Sequence, residues 1–375
     1  MIYFDSAATT LQKPDAVPAA VAGAMSTMTT PGRGDHPAAR LAADLMLRCR
    51  MEAAELFDVP QPDNAVLTTS ATHGLNIAIR SLVRAGDTVV ISGYEHNAVT
   101  RPLHALGVDL RVARGRLFDR EAVLEDFRRE LDRGADLAVC THVSNVFGFI
   151  LPIEEIARLC RERGAPLIVD ASQSAGCLPL DFDALGAAFA AMPGHKGLYG
   201  PQGTGLLLCG MDPAPLLEGG TGSESKRQDM PEFLPDRLEA GTHNIAGIAG
   251  LLEGLRFLRR QGVERIAGQE GELIRRMGEG LRALPGAEVY QAQDPSAQAG
   301  VLSFLLRGRD CEEIGENLGG RGYAVRAGLH CAPLAHESAG TLETGTLRVS
   351  VSLFNTSQEI DQALRTIREV GEAAG

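Results

Sequence analysis

Residues Ala135-Asp136-Leu137-Ala138-Val139-Cys140-Thr141, a helix-like span over 153–163, and then Pro166-Leu167-Ile168-Val169-Asp170 decide how this chain folds. Short apolar runs bounded by turn residues read as buried strands, and a helical span between two of them makes a crossover that brings the second strand in parallel. The same alternation extends outward from about 38 to 210. Apolar runs recur at 65–69, 88–92, 108–112, 187–192 and 203–209, with helical spans at 72–84 and 120–133. Ahead of them Ala38, Leu41, Leu45, Cys49, Ala53 and Leu56 recur at helical spacing and predict an amphipathic helix. The expected fold is α/β, with a mostly parallel central sheet covered by helices on both faces.

From about 244 the pattern changes. Two helical stretches, 244–260 and 264–284, lead into a second alternation at 301–306, 311–318, 347–353 and 357–369. This predicts a smaller α+β domain. Residues 15–250 are expected to form the large domain, and 1–14 together with 251–375 the small one. The Gly/Ser-rich stretch 218–229 reads equally as a mobile loop or a plain surface turn.

Composition narrows the function classes. The 375 residues carry 36 Lys and Arg against 48 Asp and Glu, a formal net charge of −12, which argues against a nucleic-acid or anionic-membrane surface. No run approaches the roughly 18 apolar residues of a membrane helix. The start, Met1-Ile2-Tyr3-Phe4-Asp5, has no basic region followed by an apolar run. The seven cysteines are scattered without CxxC pairs and most lie in apolar runs, so they read as core residues in a reducing compartment and not as a disulfide framework or metal site. A cytoplasmic protein is expected. Cys331 stands apart, flanked by Gly, His and Pro.

Ligands of open parallel sheets bind outside the carboxyl ends of the strands. Lys196, in Pro193-Gly194-His195-Lys196-Gly197, follows one predicted strand, between glycines that allow close backbone approach. Such a lysine is usually solvated, but here it can form an imine with an aldehyde cofactor. Asp170 ends the preceding strand; it reads as a helix cap or as the partner of a protonated pyridine nitrogen. Ser70-Ala71-Thr72-His73-Gly74 opens a helix whose free N–H groups suit a phosphate, or are simply capped. His96 follows another strand and can stack on a ring or serve structure alone. Asp and Lys at successive strand ends together match the needs of a pyridoxal-phosphate site.

At this point the chain resembles a known family. The motifs Thr141-His142-Val143-Ser144-Asn145, Val169-Asp170-Ala171-Ser172-Gln173, Gly194-His195-Lys196-Gly197-Leu198-Tyr199-Gly200-Pro201, Glu239-Ala240-Gly241-Thr242 and Arg326-Ala327-Gly328-Leu329-His330-Cys331-Ala332 occur in that order. They resemble the class V aminotransferase superfamily of fold-type I pyridoxal-phosphate enzymes, and within it the cysteine desulfurases of the group that includes selenocysteine lyases. The resemblance runs from Tyr3-Phe4-Asp5 to Phe354-Asn355-Thr356. It implies that Lys196 holds the cofactor as an imine, Asp170 pairs with its ring nitrogen, Gln173 donates to its phenolic oxygen and His96 stacks on the ring. Ala71 through its backbone, Thr72 and His195 are implied to hold the phosphate, and Thr242 to reach the phosphate of the other subunit in a homodimer. Asn145 is implied near substrate or cofactor, Arg348 as the clamp of the substrate carboxylate with Arg326 in support, and Cys331 as the sulfur acceptor, with His330 and Arg326 near enough in sequence to lower its pKa.

Four positions depart from the family pattern: Pro193 stands for a phosphate-binding Ser, His73 for Glu, Leu329 for His and His243 for Pro. The expected activity is conversion of L-cysteine to L-alanine with a persulfide on Cys331 and a protein as the final sulfur acceptor. The alternatives are a selenocysteine lyase acting on L-selenocysteine, another class V reaction (aminotransferase, epimerase or C–S lyase) in which Cys331 is a bystander, and a cofactor-binding regulator without catalysis.

Overall fold

The computed structural model describes residues 1–32 and 34–373, so residues 374–375, the end of the expected small domain, lie outside the described residues. The chain begins β1 (Ile2–Tyr3), α1 (Ala16–Thr27), α2 (Pro37–Leu56), β2 (Ala65–Thr68), α3 (Ala71–Leu82), β3 (Thr88–Ser92), α4 (Asn97–Leu106) and β4 (Asp109–Ala113). It continues α5 (Arg120–Asp132), β5 (Leu137–Thr141), α6 (Ile153–Glu162), β6 (Leu167–Asp170), α7 (Phe182–Leu185), β7 (Phe189–Pro193) and β8 (Gly205–Cys209). Then follow α8 (Ile245–Gln261), α9 (Val263–Arg282), β9 (Ala287–Tyr290), β10 (Val301–Leu306), α10 (Cys311–Gly320), β11 (Tyr323–Ala324), β12 (Arg326–Gly328), α11 (Pro333–Ala339), β13 (Thr346–Ser350) and α12 (Ser357–Ala373).

Seven strands form the central sheet in the order β2-β8-β7-β6-β5-β3-β4. Every neighbouring pair is parallel except those made by β8, which runs against β7 and β2. The expected mostly parallel α/β architecture is therefore present, and the connection from β7 to β8 is the exception to the crossover rule. Alternate residues of each strand enter different cores. Leu137, Val139 and Ile168 pack on one face, and Ala138, Cys140, Leu167 and Val169 on the other. Both faces are covered, so the strands are apolar throughout.

A four-stranded antiparallel sheet, β12-β13-β10-β9, packs with α9, α10 and α12 around Leu302, Phe304, Leu347, Val349 and Ile360. Phe4 joins this core, because β1 pairs in parallel with β11. Helix α8 runs unbroken across position 250, where the expected domain boundary fell. The predicted face of the first long helix is shifted. Its buried residues in α2 include Ala42, Leu45, Met46, Cys49 and Ala53, whereas Leu41 is 47% exposed. The helical spacing put Leu41 on the inward face, but the face is rotated toward Ala42 and Met46, and a lone exposed Leu is ordinary. The stretch 218–229 is irregular and mostly exposed. All seven cysteines are free; Cys49, Cys140, Cys160, Cys209 and Cys311 are buried, and Cys331 is exposed.

Candidate active site

The carboxyl ends of β3, β5, β6 and β7 and the start of α3 converge on one cavity of about 240 Å³. Every expected site residue except Thr242 lines it: Ala71, Thr72, His96, Asn145, Asp170, Gln173, His195, Lys196, Arg326, Cys331 and Arg348. Thr242 is exposed and lies outside this cavity.

Lys196 sits on the turn that links β7 to β8. The turn closes tightly, and only glycine fits beside the lysine. A Cβ on Gly194 would come within 2.1 Å of the Thr204 hydroxyl, and one on Gly197 within 2.4 Å of the Ala175 carbonyl. Burial brings the Lys196 ammonium down to about 8, opposed by Asp170 and assisted by Arg348 and Arg326. About a tenth of it is then the free amine at pH 7, far more than for a solvated lysine.

Asp170, 2% exposed, does not cap a helix. Its Oδ1 accepts the Ser172 N–H at 2.9 Å within a turn, and Oδ2 takes no hydrogen bond among the described residues. His96 caps α4, with Nδ1 accepting the Ala98 N–H at 3.0 Å. The neutral ring therefore carries its proton on Nε2, and burial lowers its pKa. Gln173 spends one amide hydrogen on the Ala7 carbonyl at 3.0 Å and keeps the other.

At the start of α3 the Ser70 hydroxyl accepts the His73 N–H at 3.1 Å, while the N–H groups of Ala71 and Thr72 have no intrahelical acceptor. Together they make an anion cradle. The His195 Nδ1 is buried and unpartnered, and burial, Lys196 and Lys13 push its imidazole down to about 4. The departures from the family pattern act as their chemistry dictates. Pro193 lines the cavity and has no N–H to offer, and His73 turns back to within 3.3 Å of the Thr69 hydroxyl.

Arg348, 2% exposed, donates from Nη2 to Asp5 at 2.7 Å and from Nη1 to the Asn145 carbonyl at 2.9 Å, while its buried Nε has no partner. Arg326 stands directly opposite it across β12 and β13 and makes no ion pair among the described residues. Two arginines at paired positions, with one carboxylate bonded to Arg348, leave positive charge to spare, which suits an anionic substrate.

Cys331 is held on a tight turn. His330 and Cys331 occupy the left-handed region consecutively, at φ 51° and 58°, a conformation costly for side-chain-bearing residues. The turn is fixed by Asn97 N–H to the Cys331 carbonyl at 2.9 Å and by the Asn145 amide to the His330 carbonyl at 2.8 Å. The expectation that His330 supplies charge to the thiol does not hold. Its ring is buried and bonded through Nε2 to the Thr346 carbonyl at 3.1 Å, and burial pushes its pKa down to about 2, so it is neutral. Arg326 is the remaining cation of the pair. Sequence reasoning also passed over Asp5 and Asn97 as site residues. Asp5 lies in the quoted Tyr3-Phe4-Asp5 motif, but only the fold brings it to Arg348.

The profile of the aminotransferase class-V family matches residues 2–363. The chain belongs to this family. It is 33% identical to a probable cysteine desulfurase of Methanothermobacter thermautotrophicus, over 98% of this chain and 94% of that protein. It is 35% identical to a probable cysteine desulfurase of Mycolicibacterium paratuberculosis, over 99% of this chain but 56% of that longer protein. Among solved structures, the apo cysteine desulfurase from Thermococcus onnurineus superimposes with a TM-score of 0.91 at 30% identity, covering 99% of this chain and 95% of that one.

Proposed function

We propose that this chain is a pyridoxal-phosphate-dependent cysteine desulfurase that converts L-cysteine to L-alanine and takes the sulfur onto Cys331. The observation that carries the reading is the convergence of Lys196, Asp170, Arg348 and Cys331 on one cavity. The residues fit the cofactor. A partly neutral lysine answers its aldehyde, an unpartnered Asp170 oxygen its ring nitrogen, and the free N–H groups of Ala71 and Thr72 with the orphaned His195 Nδ1 its phosphate. Bound there, pyridoxal phosphate supplies the electron sink for charge left at the substrate Cα.

The protein's own groups do the rest. Arg348 receives the substrate carboxylate and orients the amino acid, with Arg326 adding positive charge. Lys196 in its amine form removes the Cα proton. The Cys331 thiolate attacks the substrate sulfur, a sulfur–sulfur bond forms, and the carbon–sulfur bond breaks with its electron pair passing to carbon. Protonation of that carbon, and return of a proton from Lys196 to Cα, yield alanine and leave a persulfide on the exposed Cys331, open to a protein sulfur acceptor.

We further propose a homodimer in which Thr242, exposed on each subunit, reaches the phosphate of the other. The large unit holds the cofactor, and the unit of β9–β13 and α9–α12 presents Arg326, Cys331 and Arg348. No helix among the described residues is long and apolar enough to cross a membrane, and we place the activity in the cytoplasm. The deciding assay identifies the products from L-cysteine with wild type and Cys331→Ala. Alanine with sulfur release that depends on Cys331 supports the reading; pyruvate and ammonia would make the chain a C–S lyase.

A further inference from the structure

Directly before His96, the chain buries a second carboxyl close to the site, and the reaction as written does not use it. Glu95 is 0% exposed and makes no ion pair among the described residues. Both hydrogen bonds it receives fall on one oxygen: Oε1 accepts from the Ser92 hydroxyl at 2.5 Å and from the Thr141 N–H at 2.7 Å. Its Oε2 is buried with no partner. An ionised carboxylate would place half its charge on that naked oxygen in a dry interior, which is far costlier than burying the neutral acid.

The surroundings add to this. The titratable groups set against Glu95 are Asp170 on β6 and the Cys140 thiol on β5. Burial keeps Cys140 neutral, so the one nearby charge that can compete is the Asp170 carboxylate, of the same sign. A like charge in the neighbourhood adds to the cost of ionising Glu95 that burial already imposes. Asp170 has an N–H donor and an oxygen lining the cavity; Glu95 has neither a cation nor access to water.

We propose that Glu95 is a positioning residue carried as the neutral acid, which ties the His96 turn to the end of β5 and leaves the negative charge of the pair to Asp170. This rests on the cofactor site proposed above only for the role of Asp170; the protonation of Glu95 stands on its own contacts. One clamp thus joins three strand ends. Ser92 closes β3, Thr141 closes β5, and the N–H of His142, the next residue, donates to the Asp170 carbonyl at 2.9 Å. Burial, with Asp170 adding to it, lifts the Glu95 carboxyl to about 8. A group raised in the folded state contributes its stability fully below its unfolded value and loses it as pH climbs through the folded one. The loss therefore builds between the ordinary carboxyl range and about pH 8, and it is located beneath His96.

The test compares thermal midpoints of wild type and Glu95→Gln, both without added cofactor, from pH 5 to pH 9. The amide keeps an oxygen for Ser92 and Thr141 but cannot ionise. The expected result is that the wild-type midpoint falls relative to E95Q as pH rises, by several degrees, most of it complete by pH 8. Parallel curves would overturn the proposal. If E95Q does not fold, infrared titration of Glu270→Gln, which removes the other buried glutamate without an ion pair among the described residues, isolates the Glu95 carbonyl band. A protonated-carboxyl band present at pH 6 and lost toward pH 9 supports the assignment, and its absence at pH 6 refutes it. Neither readout depends on desulfurase activity, so failure here and failure of the proposed function are separable.

Discussion

Arg348 and Asp5 are separated by 343 positions in the chain and meet at 2.7 Å, the arginine almost wholly buried and the aspartate partly exposed. The Arg348 guanidinium, proposed above as the carboxylate clamp, is held by an N-terminal residue on one side and by the Asn145 carbonyl on the other, which fixes its plane. Arg348→Ala is expected to lower kcat/KM for L-cysteine by about a hundredfold or more, or roughly 2.7 kcal/mol, chiefly through weak binding. Asp5→Asn keeps the arginine but removes its counter-charge, and a destabilisation of about 1–3 kcal/mol is expected in urea unfolding. Unchanged substrate binding in Arg348→Ala would assign the clamp to Arg326.

Cys331→Ala separates binding from sulfur transfer. It is expected to bind the cofactor and respond spectrally to L-cysteine as wild type does, because Lys196, Asp170 and Arg348 are untouched. Sulfur release is expected to fall about a hundredfold or more. Selenocysteine turnover is expected to suffer less, since the carbon–selenium bond is weaker. Rapid-scan absorbance with sulfide analysis reads both, and wild-type sulfide release would rule out the persulfide route.

Reconstitution with pyridoxal phosphate is expected to give a yellow protein, and borohydride to fix the group to Lys196 as a mass increment on that residue's peptide. With the Lys196 ammonium brought down to about 8, the amine fraction grows with pH up to that value. Attachment is therefore expected to accelerate by about tenfold per pH unit below it and to level off above. An adduct on Lys13 or another lysine would refute the assignment.

The Glu239-Ala240-Gly241-Thr242 motif is anchored by a buried ion pair. Glu239 receives Arg50 at 2.7 Å and 2.5 Å and the Leu67 N–H at 2.7 Å, which ties α2 and β2 to the segment bearing Thr242. Arg50→Ala leaves a buried carboxylate uncompensated and is expected to cost about 3–5 kcal/mol in denaturant unfolding. A change under about 1 kcal/mol would mean that water replaces the arginine.

Sedimentation is expected to find a dimer, and Thr242→Ala to weaken cofactor retention while leaving the dimer intact. Full activity from a stable monomer would refute a shared site.

Much of the architecture was legible because it depends on local patterns. The runs at 88–92 and 187–192 appear as β3 and β7, and the span 153–163 as α6, each within two residues. Strand direction was less legible. Whether β8 returns against β7 depends on the tight turn around Lys196, and an apolar run such as Leu206-Leu207-Leu208 reads alike in either direction. In the site, residues at strand ends were found, since the fold class itself points there. Contacts that join distant segments were not. Nothing in the neighbourhood of Asp5 announces Arg348, and His330 reads from sequence as a cation beside a thiol, although its burial against Thr346 makes it neutral.

The pairing of β1 with β11, together with the meeting of Asp5 and Arg348, has a consequence for biosynthesis. Residues 2–5 leave the ribosome early, yet their partners at 323–350 are made only when the chain is nearly finished. At usual elongation rates the wait is on the order of tens of seconds, during which Phe4, destined for 0% exposure, stays uncovered. A truncated product ending before β13 would have Lys196 and all seven strands of the central sheet but not Arg348. Completion of translation is thus what brings Arg348 and Asp5 together and closes this end of the pocket.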